Sequence, residues 1–142
     1  MTKISLTTAE IQIATMVGVQ RQIEDIKWNN HEKQGEKKEL AWQRHIEGAL
    51  SECALAKYLN VYWSKRPHNE PDVGTVDVRV THWMSGNLWI DNKDKDDRKY
   101  YLLTGLNGEY IIRGWLYGRD GKQQKYWGTK DPDRPPCFWI PQ

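Results

Sequence analysis

The chain has 142 residues and a formal net charge of +2, and 38% of its residues are hydrophobic. This length suits one domain with its own core, so we predict a single domain over residues 1–142. No apolar run approaches the roughly 20 residues that span a membrane. The N-terminal residues, Met1 to Leu6, lack the apolar segment of a secretory signal, and Cys53 and Cys137 show no paired spacing. These features exclude a membrane or disulfide-rich protein, and we expect a cytoplasmic one.

Helical patterns occupy the first part of the chain, over about residues 8–59. Thr7 and Glu10 have the spacing of a capping box. A first helix is predicted from about Thr8 to Trp28, with a buried face made of Ile11, Ala14, Val17, Ile23 and Ile26. Residues 29–39 are charged and lack aliphatic side chains, which predicts a solvated linker or a frayed helix end. A second helix is predicted over about residues 40–59, with a buried stripe of Ile46, Ala49, Leu50, Cys53 and Ala56.

From about residue 60 to residue 142 the apolar residues alternate, which predicts strands. Val76, Val78 and Val80 form the apolar face of the first strand. Three turns are predicted, at 85–87 before a partner strand over 88–91, at 107–108 within a hairpin over about 100–116, and at 120–121. Residues 131–136 contain three prolines and are predicted irregular, and Cys137 to Ile140 is a final short strand. The fold class is therefore α+β, with two N-terminal helices packed on a mostly antiparallel or mixed sheet.

The first predicted strand places two charged side chains on one face. Residues i and i+2 of a strand point the same way, so Asp77 and Arg79 project together while the alternating valines face the core. Metal-dependent cleavage of a phosphodiester needs carboxylates around Mg²⁺, which polarises the phosphate and lowers the pKa of an attacking water. A nearby cation can hold that water or neutralise developing charge. This strand therefore suits part of such a site.

Pro71-Asp72, followed by Asp77-Val78-Arg79, resembles the PD-(D/E)xK motif of restriction-endonuclease-like nucleases, with arginine in the usual lysine position. The preceding helix carries Gly48-Ala49-Leu50-Ser51-Glu52, which is similar to the GxxxE helix of that superfamily. The resemblance covers about residues 48–79 and implies a restriction-endonuclease-like fold. It also implies that Mg²⁺ or Mn²⁺ is bound by Glu52, Asp72 and Asp77. Arg79 would then steady the water or the scissile phosphate.

A narrower resemblance covers nearly the whole chain and relates it to a family of small, uncharacterised phage and prophage proteins. It rests on His45-Ile46-Glu47-Gly48-Ala49, Asp72-Val73-Gly74, Val78-Arg79, Asp94-Lys95-Asp96-Asp97, Gly114-Trp115 and Phe138-Trp139-Ile140-Pro141-Gln142. This resemblance implies a protein that acts in the cytoplasm of a phage-infected or lysogenic bacterial cell. It implies no particular activity.

Three features differ from the nuclease pattern. Arg79 replaces lysine, and because a guanidinium keeps its proton, it can position a water but cannot act as a base. Asp72 and Asp77 are close in sequence, so both reach one metal only if Gly74 lets the chain turn sharply. The superfamily core also has a helix after the acidic-x-basic strand, and none is predicted here beyond a possible turn at residues 95–98.

A second register of the motif is also present. Asp91-Asn92-Lys93 is a literal DxK sequence at the end of a predicted strand, with Asp77 as the upstream acid. The acidic and basic residues over 91–97 are equally typical of a solvated turn. Asp77 belongs to both registers.

Structural interpretations stand beside the catalytic one. Glu52 can be a surface carboxylate or an ion-pair partner, Asp72 a turn residue, and Asp77 and Arg79 a pair on the sheet surface. Two hypotheses follow. The chain is a Mg²⁺-dependent phosphodiester nuclease of phage type that acts on DNA or RNA, or a degenerate relative of one. Alternatively, it is a non-catalytic phage accessory protein that binds a host protein or nucleic acid.

The aromatic residues allow two interpretations as well. Eight Trp and seven Tyr against one Phe make the aromatics mostly amphipathic. The sheet core is predicted to include Tyr110, Trp115 and Phe138. Trp63, Trp83 and Trp127 flank turns close to basic residues, namely Lys65, Arg66, His82, Lys125 and Lys130. Nucleic-acid bases can stack on such indoles, or the indoles can cover the edges of the sheet.

Overall fold

The computed structural model of the chain describes residues 1–28, 38–65 and 70–142. Within these ranges, the chain forms two long helices, α1 (Thr8–Trp28) and α2 (Ala41–Leu59), and two β-sheets, of which all strands but one follow the helices. The predicted α+β class, with two N-terminal helices and a mixed sheet, is confirmed. The helix limits agree closely with the periodicity, and residues 38–40 form a 3-10 turn before α2. Most of the predicted linker, residues 29–37, lies outside the described ranges, as does Arg66.

The strands are, in chain order, β1 (Thr2–Ser5), β2 (Val76–Thr81), β3 (Leu88–Ile90), β4 (Lys99–Leu106), β5 (Glu109–Tyr117), β6 (Trp127–Gly128) and β7 (Cys137–Ile140). A four-stranded sheet has the order β1-β5-β4-β2, in which β2 runs parallel to β4 and the other pairs are antiparallel. A three-stranded antiparallel sheet has the order β3-β7-β6. A short helix, α3 (Gly118–Gly121), stands where the sequence predicts a simple turn.

The two faces of the four-stranded sheet belong to different hydrophobic cores. Val76 and Val78 of β2 and the β4 side chains Tyr101 and Leu103 pack with apolar residues of the helices. The alternate β4 residues point the other way and pack with the three-stranded sheet, in a cluster of Leu88, Ile90, Tyr100, Leu102, Phe138 and Ile140. The four-stranded sheet is therefore the middle layer, between the helices and the small sheet.

The predicted pairing of residues 88–91 with the first strand is wrong. Leu88 of β3 lies opposite Ile140 of β7, whereas Val76 of β2 lies opposite Lys99 of β4. The reason is that the two strands bury their apolar side chains in different cores. Local alternation predicts each strand but does not determine which strand it pairs with.

Two other sequence-based expectations also need correction. Trp115 is 45% exposed, although Tyr110 and Phe138 are buried as predicted. The sequence did not predict strand β1. Ile4 is the one residue of this strand that is shielded from solvent, and the sequence of the strand shows no apolar alternation.

The hairpin over about 100–116 is confirmed, with positive φ angles at Asn107 and Gly108 in its turn. Among the described helices, none is both long and apolar enough to cross a membrane.

Helices α1 and α2 approach each other closely through small residues. A Cβ atom built on Gly18 of α1 would lie 2.5 Å from the Cα atom of Ile46 in α2. The buried positions of α1 are Ala14, Gly18 and Gln22, which are spaced four residues apart. The predicted burial of Ile23 and Ile26 is wrong, since they are 52% and 60% exposed.

This close approach predicts opposite effects for two glycine substitutions. Gly18→Ala should lower the free energy of unfolding by about 1–3 kcal/mol, because the new methyl group pushes on backbone atoms. Gly48→Ala, in α2, is the matched control, since nothing lies within 4 Å of its Cβ position. It should raise stability by roughly 0.5–1 kcal/mol through helix propensity. Urea unfolding of both variants measures the difference, and equal effects would contradict the packing described.

Candidate functional site

The chain that enters β2 brings Asp72 and Asp77 together. The backbone N–H of Asp72 donates to Oδ1 of Asp77 at 3.0 Å. In return, Oδ2 of Asp72 accepts the backbone N–H of Val78 at 2.9 Å. Gly74, at a φ of 58°, turns the chain between the two aspartates. The sharp turn that their short separation in sequence requires is therefore present.

Glu52 reaches the same region from α2 and is only 6% exposed. Arg21 of α1 donates to both of its carboxylate oxygens, at 2.8 Å to Oε1 and 2.9 Å to Oε2. The indole N–H of Trp63 also donates to Oε2, at 3.0 Å. A two-pronged guanidinium–carboxylate contact is among the strongest hydrogen-bonded pairs in proteins. Glu52 is thus a buried ion-pair partner that joins the two helices, and it is not a surface carboxylate.

Asp77 and Arg79 take separate partners at the start of β2. NH1 of Arg98 donates to Oδ2 of Asp77 at 3.2 Å, and NH2 of Arg79 donates to Oδ2 of Asp94 at 2.8 Å. Each charge therefore has its own counter-ion, in place of the surface pair that the sequence allowed between them. All four side chains are less than 20% exposed.

The guanidinium of Arg79 is held by more than its ion pair. It lies over the rings of Tyr100 and Trp89, at 4.9 Å and 5.8 Å from their centroids, which adds cation–π attraction. Arg79 is thus fixed in position, and its buried Nε–H has no acceptor among the described residues.

Asp72 differs electrostatically from its neighbours. Its pKa is raised to about 7, first by burial and then by the negative charges of Glu52 and Asp77. The hydrogen bond from Val78 and the charge of Arg79 act in the opposite direction but are weaker. The Glu52 and Asp77 carboxylates therefore both lie close enough to Asp72 for their charges to act on it.

The carboxylates and guanidiniums of this acidic cluster are unequal in number. Its described carboxylates are those of Glu52, Asp72, Asp77 and Asp94, and its described guanidiniums are those of Arg21, Arg79 and Arg98. Among the described residues, four negative charges therefore face three positive ones once Asp72 is ionised, which its raised pKa places above about pH 7. The three ion pairs engage every carboxylate except that of Asp72, whose hydrogen bond comes from the neutral backbone. Within the described ranges, Asp72 is the carboxylate of this cluster that has no ion-pair partner.

The donor atoms of this cluster are of the class that Mg²⁺ prefers, because all are carboxylate oxygens. Across residues 1–28, 38–65 and 70–142, however, no three His, Cys, Asp or Glu side chains are arranged to hold a metal ion. The oxygens of Glu52 and Asp77 already accept hydrogen bonds from protein donors. A cation would therefore bind in exchange for one of the arginine contacts.

The second register of the motif lies in a turn before β4. Oδ1 of Asp91 accepts the backbone N–H of Lys93 at 3.0 Å, and the backbone N–H of Asp91 donates to Asp94 at 2.8 Å. Lys93 is exposed. Of this charged run, Asp94 is the residue that reaches the acidic cluster, through Arg79. No helix lies between β2 and β4, since residues 82–98 contain only β3, turns and irregular segments.

The arginines of the cluster could not be identified from the sequence. Arg21 lies 31 residues before Glu52, and Arg98 lies 21 residues after Asp77. No local motif connects residues so far apart. The run over 91–97 is conspicuous for its charges, but nothing in its spacing indicates that Asp94 pairs with Arg79.

Comparison with known proteins adds no relative. No family model matches the chain, and no curated protein and no solved structure is significantly similar to it. The resemblances that the motifs suggest therefore remain predictions.

The raised pKa of Asp72 predicts a specific pH dependence of stability. The folded protein keeps a proton on Asp72 up to about pH 7, whereas the ordinary pKa of this group is 3.8. The folded state therefore binds more protons between these values, and the free energy of unfolding falls as the pH rises through this range. In Asp72→Asn the decrease in the free energy of unfolding over this pH range should be smaller, by up to roughly 4 kcal/mol.

Urea unfolding between about pH 4.5 and pH 7.5 measures this difference. Asp97→Asn is the matched control, because Asp97 is exposed. It should show the same pH dependence as the unaltered chain. If Asp72→Asn also keeps that dependence, Asp72 is not the group that titrates.

Proposed function

We propose that the chain is a Mg²⁺-dependent phosphodiester nuclease of phage or prophage type, or a relative that keeps the cation site without turnover. The observation that supports this most is the buried carboxylate of Asp72, which lies beside two other carboxylates and has no ion-pair partner in the described part of the chain. Burying like charges is costly, and such arrangements concentrate at functional sites, where a ligand supplies the missing charge. Glu52, Asp72 and Asp77 would hold the cation.

The charge balance suits a divalent ion and a phosphodiester together. With Asp72 ionised, the described side chains of the cluster carry one negative charge in excess, so Mg²⁺ would leave one positive charge, which complements the single negative charge of the substrate. Bound Mg²⁺ polarises a phosphoryl oxygen and lowers the pKa of a bound water. Mn²⁺ accepts the same carboxylate ligands.

The protein's own residues divide the remaining tasks. Arg79 is held by Asp94 and two aromatic rings, so its fixed positive charge would steady the water or the scissile phosphate. It cannot remove a proton. Arg21 and Arg98 hold Glu52 and Asp77 in place.

The non-catalytic alternative also has support in the structure. Both oxygens of Glu52 and both oxygens of Asp77 already have donors. No metal-holding group is formed in the described part of the chain. On this hypothesis the ion pairs stabilise the fold, and the protein binds a host protein or nucleic acid. Both hypotheses place it in the cytoplasm of a phage-infected or lysogenic bacterial cell.

Cation binding is the first expected outcome. A ligand that binds only the folded state raises its stability, so Mg²⁺ should raise the Tm at about pH 7.5 above that in NaCl of equal ionic strength. Asp72→Asn should abolish the increase, and Asp97→Asn should retain it. Thermal melts followed by circular dichroism provide the measurement. An unaltered chain whose Tm is the same in both salts would contradict the proposal.

Cleavage separates the nuclease from a relative without turnover. Labelled DNA and RNA strands are incubated with the protein and Mg²⁺, and the products are resolved on a gel. An active nuclease should lose about 100-fold or more of its rate in Asp77→Asn. A cation-dependent Tm increase without cleavage supports the inactive relative. Cleavage that persists in both Asp72→Asn and Asp77→Asn would contradict the assignment of the site.

A further inference from the structure

A cleft of about 740 Å³ opens where β2 ends, at Val80 and Thr81. Its walls come from α2, from the end of β4 and from the three-stranded sheet. The volume lies within the range typical of small-ligand sites. Three tryptophans line the cleft, namely Trp83, Trp89 and Trp139. A cleft with three indoles offers several flat aromatic surfaces to a ligand.

The rim of this cleft holds an exposed indole in a fixed loop. Trp83 is 67% exposed, yet its backbone N–H donates to Oγ1 of Thr81 at 3.2 Å and its carbonyl accepts the N–H of Gly86 at 2.9 Å. The side-chain amide of Gln142 donates to the carbonyls of Met84 and Gly86, at 2.9 Å and 2.8 Å. These bonds fix the loop backbone that carries the indole, and the Trp83 ring lies 4.7 Å from the ring of His82, so binding costs less conformational entropy than it would in an unheld loop.

Charged residues in the cleft are balanced in number. The cations are Arg44, Lys130 and Arg134, and the carboxylates are Glu47, Asp131 and Asp133. Glu47 accepts hydrogen bonds from the Tyr110 hydroxyl at 2.5 Å and from the Asn107 N–H at 2.9 Å. A balanced cleft is a poor match for a long duplex, which presents dense negative charge. It can accept a single nucleotide, which has one aromatic base and one negative charge.

Cations and an indole occur together on one wall. Nζ of Lys130 and the guanidinium of Arg134 lie 5.5 Å and 5.9 Å from the ring of Trp139. Basic groups beside aromatic rings hold single-stranded nucleic acids, because the rings stack on bases while the cations attract phosphates. The carboxamides of Gln43 and Asn87 also line the cleft, and carboxamides can donate to and accept from the edge of a base.

We propose that this cleft binds an unpaired nucleotide of a single-stranded nucleic acid, with its base stacked on Trp83 and its phosphate near Lys130 and Arg134. If the bound strand is also the substrate of the acidic cluster, the inference rests on the proposed function. Binding in the cleft does not require that cluster. Thr81, in the cleft, lies roughly 13 Å along β2 from Asp77. Trp89 connects the two regions, since it lines the cleft and lies against Arg79.

The test measures binding without divalent cations. A fluorescein-labelled oligodeoxythymidine of about 12 nucleotides, within the usual site size, is titrated with protein in EDTA, and its anisotropy is followed. Trp83→Ala should weaken binding roughly 5- to 100-fold, the loss expected for one stacked base. Trp28→Ala is the matched control, because Trp28 is 69% exposed and lies outside the cleft. It should bind as the unaltered chain does.

A second substitution at position 83 separates lost stacking from a folding defect. Trp83→Phe keeps a ring for stacking and should retain most of the affinity, and Trp83→Ala should keep the Tm of the unaltered chain. A duplex of the same length should bind more weakly and without dependence on Trp83. The proposal is overturned if the unaltered chain does not bind the single strand, if the two alanine variants bind equally, or if the duplex binds as tightly.

These outcomes are separate from those of the proposed function. EDTA removes the cation, so failure of the binding experiment leaves the Mg²⁺-dependent Tm increase unaffected. Equally, a protein without a cation site could still bind the strand through Trp83. The substitution Trp83→Ala should therefore leave the Mg²⁺-dependent Tm increase unchanged.

Discussion

The site depends on the hydrogen bonds that Asp72 and Asp77 exchange where the chain enters β2. Strand β2 lies at an edge of its sheet, and backbone groups on the free side of an edge strand need other partners. The carboxylate of Asp72 satisfies one of them, the N–H of Val78. The same contact keeps the Asp72 carboxylate near Glu52 and Asp77 and away from bulk water. The hydrogen bond from Val78 to Asp72 therefore has two effects. It satisfies a backbone group at the edge of the sheet, and it holds a carboxylate with a raised pKa in the site.

The remaining ion pairs follow from the layered fold. Glu52 comes from the helical layer and is held by Arg21, whereas Asp77 and Arg79 point toward the side of the small sheet and are held by Arg98 and Asp94. Each pair joins parts of the chain that are distant in sequence. The acidic cluster thus lies where the three layers meet at the free edge of β2, and the cleft lies at the other end of the same strand.

Local patterns in the sequence predicted what depends on local structure. The extent of both helices, the shared face of Asp77 and Arg79 and the turn at Gly74 all follow from the preferences of a few consecutive residues. The order of Glu52, Asp72 and Asp77 also indicated that they would lie near one another. Burial and mutual repulsion raise the pKa of Asp72 and so agree with that expectation.

Features that depend on packing between distant segments could not be predicted. The partner of β3 was wrong because alternation does not specify a neighbour. The buried face of α1 was wrong over its second half, because the close approach at Gly18 selects small residues over larger apolar ones. The partners of the acidic residues, Arg21 and Arg98, were missed for the same reason: their pairing exists only in the folded chain.

The raised pKa of Asp72 and the cation site are tested most directly by the titration of Asp72 itself. Carbon-13 NMR of its side-chain carboxyl, assigned with Asp72→Asn, follows its protonation with and without Mg²⁺. We expect a pKa of about 7 without the cation and a clearly lower pKa with it, because a bound cation favours the charged carboxylate. A carboxyl that titrates in its ordinary range, and does so equally in Mg²⁺, would contradict both the raised pKa and the cation site.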